Sequence, residues 1–121
     1  MEKGENRFGI SSTNPLFIKS DLLAKEVYRA AALFPKHEMF GITSQLRRAA
    51  LSVVLNIVEG FARQSKNEFR RFLLIAFGSL KETDYLLYFA FEQKYLTAES
   101  YNNVTKITKE VTKIIWTINN Q

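Results

Sequence analysis

The stretch Gln45–Glu82, QLRRAALSVVLNIVEGFARQSKNEFRRFLLIAFGSLKE, decides the fold. It reads as two helices joined by a basic turn. At about 100° per residue, Leu46, Ala49, Ala50, Val53, Ile57 and Phe61 share one face of the first helix. Leu51, Val54, Leu55 and Val58 cover much of the rest and leave a narrow polar stripe of Gln45, Ser52, Asn56 and Glu59. Polar groups on so apolar a helix are costly to bury unpaired, so the stripe is expected to form an interhelical hydrogen-bond network that fixes register. A catalytic or ligand site is the alternative, disfavoured because no second titratable group lies close in sequence. Glu59 sits near the helix C-terminus, where the macrodipole disfavours an anion. Arg63, four residues on, or a tertiary partner is expected to offset that.

On the second helix, Phe69, Phe72, Leu73, Ala76, Leu80, Leu87 and Phe91 form a core face. Almost opposite lie Leu74, Gly78, Tyr85 and Phe89. A helix with two apolar faces needs neighbours on both sides. Gly78 in mid-helix costs about 1 kcal/mol against Ala, which makes sense if another backbone comes close. Soluble monomers rarely expose large apolar patches, so this second face is expected to be a subunit interface. A core so aromatic that it wraps the helix is the alternative.

Arg47, Arg48, Arg63, Lys66, Arg70 and Arg71 crowd around this pair of helices, with only Glu59 and Glu68 as acids between Arg47 and Arg71. In an antiparallel pair, Arg63, Lys66, Arg70 and Arg71 come together at the turn. Arg47 and Arg48 begin about 24 Å away along the helix and form a separate patch, or meet one from a neighbouring subunit. Arginine suits phosphate because its planar fork donates two hydrogen bonds. No exposed aromatics are interleaved with these cations to stack bases, so nucleic acid is expected to be held by its backbone, with little sequence preference. A merely solvated basic cap is the plain alternative.

Outward from this segment, Asn14-Pro15 fits an N-cap with proline in the first helical position, and a first helix runs to about Leu33, stopped by Phe34-Pro35. Lys36–Ile42 reads as a loop, with Thr43 or Ser44 as cap of the second helix and Gly60 near its end, at a left-handed or closely approached backbone. Ser65 followed by Glu68 is a capping-box pattern that starts the third helix, which continues to about Gln93. Thr97 caps a fourth, whose core side is Tyr101, Val104, Ile107, Val111, Ile114, Ile115 and Ile118. Residues 1–13 are polar and aperiodic and are expected to be a flexible leader before a single domain over 14–121. The fold class is therefore all-α, an antiparallel up-down-up-down four-helix bundle. An open three-helix arrangement with the first or fourth helix swapped onto a partner subunit is the runner-up.

Composition narrows the function. The 121 residues carry a net charge of +5, which permits an anionic partner without requiring one. With no Cys there is neither a disulfide scaffold nor a thiolate metal site, and a reducing cytoplasm is expected. No segment reads as a signal peptide, and the charge-free run Ala49–Val58 is too short to span a bilayer. His37 is the only histidine, so a histidine-based catalytic pair or metal cluster lacks its second member. There is no glycine-rich phosphate loop. An enzyme, a metal site and a cofactor are not expected.

The segments Phe34-Pro35 with Glu38, Gln45-Leu46-Arg47-Arg48-Ala49, Ser52, Asn56-Ile57-Val58-Glu59-Gly60 and Ala76-Phe77-Gly78-Ser79-Leu80-Lys81-Glu82 together resemble a known family. It is the four-helix bundle family of the intervening-sequence protein of large-subunit ribosomal RNA. The resemblance covers roughly residues 22–118, with Thr83 in place of the family's usual leucine after Glu82. It implies a four-helix bundle and assembly as a homopentamer. It also implies a kinship with the accessory protein of diversity-generating retroelements, which binds nucleic acid and a reverse transcriptase through basic surfaces. No catalytic residues carry over. The expected function is an oligomeric protein that binds RNA or DNA, as an accessory to a nucleic-acid enzyme; a purely structural or protein-interaction oligomer is the alternative.

Overall fold

The computed structural model describes residues 6–121. Four helices dominate: α1 (Pro15–Ala31), α2 (Ile42–Phe61), α3 (Lys66–Glu92) and α4 (Ala98–Asn119). Their starts follow local chemistry. Asn14 Oδ1 accepts from the amides of Leu16 and Phe17, and Pro15 opens α1. Ser65 Oγ accepts from Glu68 N at 3.0 Å, and Thr97 Oγ1 accepts from Ser100 N at 3.0 Å. Only half of the expected capping box forms, because the Glu68 carboxylate turns to Arg71.

The start of α2 departs from expectation. Neither Thr43 nor Ser44 is its cap; Gly41 takes that place with no side chain to offer. The apolar Ile42 is buried, and drawing it into the helix moves the start upstream. α1 ends at Ala31, and tighter bonds from Leu33 N to Ala30 O and Phe34 N to Ala31 O close the chain toward Pro35. A 3-10 turn, Lys36–Glu38, follows. After α3, the amides of Lys94 and Tyr95 bond back to Phe91 O and Ala90 O, with Lys94 in the left-handed region at φ 65°. This is a Schellman-type end built without glycine.

α1 packs on α2 and α4, and α3 packs on α2 and α4. At one end of the bundle the Phe34 ring lies 5.6 Å from the Tyr95 ring, and Tyr95 Oη donates to Glu38 Oε2 at 2.8 Å. That clasp ties the α1–α2 connection to the α3–α4 connection. At the other end Arg70, in the second turn of α3, donates to the Gln121 backbone oxygen at 3.2 Å. All four helices pack within the one chain. The hydrogen bond to Glu38 holds the Tyr95 phenol above its ordinary pKa of 10.0, with desolvation and the Glu38 charge adding to it.

The core is a column of fully buried aliphatics: Leu23 and Val27, Leu46, Val53 and Ile57, Leu73, Leu80 and Leu87, Val111 and Ile115. Each contributes about 1.5–3 kcal/mol on leaving water. On α4 only Val104, Val111 and Ile115 of the expected core side are buried; Tyr101, Ile107, Ile114 and Ile118 pack around its edge.

The segment expected to be a flexible leader carries structure over residues 6–13. β1 (Asn6–Arg7) and β2 (Ile10–Ser11) form an antiparallel hairpin. Its turn, Phe8-Gly9, has both φ angles positive, as tight hairpins require. Ile10 is buried with the core residues, and the Phe8 ring lies 6.2 Å from Phe17. Residues 1–5 of the expected leader lie outside the described residues.

Candidate functional site

The turn from α2 into α3 gathers Arg63, Lys66, Arg70 and Arg71, as the antiparallel pairing predicts. The arrangement is more ordered than a loose basic cap. The guanidinium carbons of Arg63 and Arg71 stand 4.6 and 5.0 Å from the centroid of one ring, that of Phe72. Phe72 itself is buried. Cation–π attraction holds each guanidinium close to the ring, while both arginines stay exposed to water. Each arginine also has a carboxylate at hand: Glu59 Oε2 at 3.5 Å from Arg63, and Glu68 at 3.1 and 3.4 Å from Arg71. These pairs are exposed and contribute little to stability, but they hold the side chains in place. Arg70 reaches the Gln121 oxygen, and Lys66 is exposed with no partner among the described residues. Four cations face two carboxylates, so the patch keeps a positive excess.

Arg47 does not join it. Its Nη2 donates to Tyr28 O at 3.2 Å, and its guanidinium lies 4.8 Å from the Tyr28 ring centroid. Its Nε is buried without a partner among the described residues. α1 thus takes up one Arg47 donor, Nη2, and holds the side chain against Tyr28, away from the basic turn. Arg48 remains exposed, beside a groove of about 460 Å³ along α2 that Leu51, Leu55, Asn56 and Glu59 also line. Sequence reasoning passed over one further basic feature. Lys106, Lys109 and Lys113 fall within about 60° of one another on α4, all exposed and without an ion pair among the described residues. Their i, i+3, i+7 spacing was the available signal.

The polar stripe of α2 divides. Ser52 Oγ and Ser79 Oγ of α3 are 2.8 Å apart, and Asn56 Nδ2 donates to Ser52 O at 2.8 Å and to Ser52 Oγ at 3.1 Å. Thr83 Oγ1 donates to Ser79 O at 2.8 Å. This is a register-fixing network between the two helices. Gln45 and Glu59 are not in it: both are exposed, nearer the two ends of α2. Ser79 and Thr83 are the members that sequence reasoning missed, since only their neighbour Gly78 stood out.

The second face of α3 lies on the surface. Leu74 is 61% and Tyr85 60% exposed, and Phe89, Ile75 and Tyr88 are exposed beside them. The Tyr85 ring is 6.3 Å from Tyr88 and 6.4 Å from Phe89. The chain's own core does not wrap this face, which removes the aromatic-core alternative. A Cβ built on Gly78 meets nothing within 4 Å. Among the described residues no group of three His, Asp or Glu is placed to hold a metal, and no helix is long and apolar enough to cross a membrane.

A crystal structure of a protein of unknown function from the S23 ribosomal protein family, from Bacteroides thetaiotaomicron, superposes with a TM-score of 0.83. The identity is 26%, over 89% of this chain and 97% of that one. No curated protein matches. The family of the 23S rRNA-intervening sequence protein matches residues 14–117, which takes in all four helices but the end of α4, and the chain belongs to that family.

Proposed function

We propose that this chain is a non-enzymatic helical-bundle protein that assembles with copies of itself and binds RNA or DNA through the basic turn. The observation that carries the reading is the Phe72 ring with Arg63 and Arg71 laid on it. Two planar forks held in a fixed relation suit bidentate contact with phosphate, and Lys66 adds a mobile charge beside them. The neighbouring Glu59 and Glu68 keep the affinity per subunit low. Contact is with the backbone, so it tolerates sequence. A reverse transcriptase or another nucleic-acid enzyme is the partner beside which such a protein acts, in the cytoplasm.

Assembly strengthens the reading. The outer face of α3, Leu74, Gly78, Tyr85 and Phe89, seats a second copy. A different groove runs between α1 and α2, with Tyr28, Leu51 and Val54 in its wall beside the charged Asp21, Lys25 and Arg29. Two unlike faces that meet head to tail form a ring when the rotation between copies closes, and a pentamer is the ring proposed. A ring repeats the basic turn and multiplies weak phosphate contacts.

The test is an anisotropy titration with RNA and with DNA across salt concentrations. Binding is expected at low salt and to fall steeply, with a logarithmic slope of about 0.9 for each phosphate neutralised on duplex DNA. Replacing Arg63, Lys66, Arg70 and Arg71 by Gln is expected to flatten the slope and leave the oligomer whole. Equal binding by the quadruple variant, or no binding at low salt, removes the nucleic-acid reading. The exposed α3 face then favours the second one, a protein-interaction oligomer.

A further inference from the structure

The outer face of α4 carries a row of cations that ends on an aromatic ring. At about 100° per residue, Lys106, Lys109, Lys113 and Trp116 fall within an arc of about 80°. The row is about 15 Å long at 1.5 Å per residue. All four residues are exposed, Trp116 by 61%. The lysines that form ion pairs among the described residues, Lys19, Lys25 and Lys81, lie elsewhere. Trp116 has no ring and no cation beside its indole among the described residues. The acids of α4 stand off the row: Glu110 is tied to Lys19 of α1 at 3.0 Å, and Glu99 lies two turns before Lys106. Asp84 of α3 borders a recess with Lys109, but the Lys81 amine already stands 3.8 Å from it.

The single ring decides what such a face holds. The outer face of α3 exposes several apolar side chains together, Leu74, Tyr85 and Phe89 among them, and suits another protein. α4 exposes one large apolar side chain, Trp116, at the end of a polar row. A helix that lies in a lipid surface needs a continuous apolar face, which one ring does not provide. A flat ring beside flexible ammonium groups matches a chain that alternates flat bases with negative phosphates. Those bases must be unpaired, because inside a duplex each base face is covered by its neighbours. A base in a single strand can leave its neighbours and stack on the indole, whatever its identity, since every base has a π-face. Position agrees with this. Arg70 of the basic turn donates to the backbone oxygen of Gln121, just past the end of α4, so the basic turn lies at the Trp116 end of the row.

We propose that the outer face of α4 binds single-stranded nucleic acid, with one base stacked on the Trp116 indole and neighbouring phosphates paired with Lys113, Lys109 and Lys106. Lysine suits this role, since its flexible stem follows a pliable backbone. At its Trp116 end the strand runs on toward the basic turn. The inference deepens the nucleic-acid reading by naming the form of the ligand. It can fail while the basic turn stands, because phosphate contacts at the turn hold a duplex without any ring.

Trp116 is the only tryptophan of the chain, so its emission reports the site without a label. An oligothymidylate of about twelve nucleotides, within the span of known single-strand sites, is titrated at low salt beside a mixed-sequence duplex of equal length. The oligothymidylate is expected to quench Trp116 saturably, and the duplex to leave the emission nearly unchanged even where anisotropy shows it bound. Trp116→Ala is expected to weaken the single strand about tenfold and the duplex not at all, and Trp116→Phe, which keeps a ring, to recover most of that loss. Replacing Lys106, Lys109 and Lys113 by Gln is expected to lower the logarithmic salt slope for the single strand by about 0.7 per lysine and to leave the assembly mass unchanged. Replacing Arg63, Lys66, Arg70 and Arg71 by Gln is expected to keep the quenching at saturation. A single strand that binds without quenching, or binds Trp116→Ala as it binds wild type, removes the α4 site and keeps the basic turn. No binding of either oligonucleotide removes both. A lysine variant with altered assembly mass and unaltered binding makes the face a contact between copies and overturns the proposal.

Discussion

Gly60 and Gly78 stand on consecutive helices and differ in what surrounds them. A Cβ on Gly60 meets Phe72 Cβ at 3.2 Å and the Phe69 ring and carbonyl at 3.5 Å. The close approach of α3 at the end of α2 therefore accounts for that glycine within the chain. A Cβ on Gly78 meets nothing. The chain bears the helix-propensity cost there and recovers none of it by its own packing. The same residue type marks a contact already made in one place and, in our account, a contact with another copy in the other.

The largest expected effect is at the closed site. Gly60→Val forces a branched side chain against Phe72, and overpacking of this kind costs about 1–3 kcal/mol. Urea denaturation of a dilute sample measures it; an unchanged midpoint means that α2 and α3 have room to part. The α2–α3 network flanks the two glycines in sequence, with Ser52 and Asn56 before Gly60 and Ser79 and Thr83 after Gly78. Asn56→Leu removes one donor each from the Ser52 carbonyl, which keeps its helical amide, and the Ser52 hydroxyl, which keeps Ser79, and is expected to cost about 0.5–1.5 kcal/mol. Glu59→Gln, at an exposed position outside the network, is expected to stay within about 0.5 kcal/mol. Equal losses in the two variants would put Glu59 back into the network and break the division of the stripe.

At the open site the sign reverses. Gly78→Ala is expected to stabilise the unassembled chain by about 1 kcal/mol, since only helix propensity changes. A loss in dilute denaturation shows an unseen neighbour within the chain. The smallest effect concerns the Tyr95–Glu38 clasp. A phenol whose folded pKa lies above its unfolded 10.0 adds stability that is complete below pH 10 and fades as pH rises toward the folded value. Thermal melts of wild type are therefore expected to lose more between neutral pH and pH above 10 than those of Tyr95→Phe. Parallel losses mean that the hydrogen bond is not kept in solution.

What the sequence made legible follows from range. Asn14, Ser65 and Thr97 mark helix starts because a cap acts within three residues, and the core faces of α2 and α3 follow from a period of less than four. The two faces of α3 were legible for the same reason. The hairpin was not, because two-residue strands carry no period and Phe8 is an unusual residue for a left-handed turn. The fate of Arg47 depended on Tyr28, nineteen residues away on another helix, and Arg63 depended on Phe72 across the turn. Local pattern states which cations are present; only packing decides which keep their donors free.

The central claim is that the outer face of α3 is covered by another copy of the chain. Light scattering coupled to size exclusion at micromolar concentration tests it most directly. Wild type is expected near five times the 14.0 kDa chain mass, about 70 kDa, and Gly78→Leu, which fills the gap left for the neighbour, at a lower mass with its helix content intact. A wild-type mass of 14.0 kDa would contradict the account.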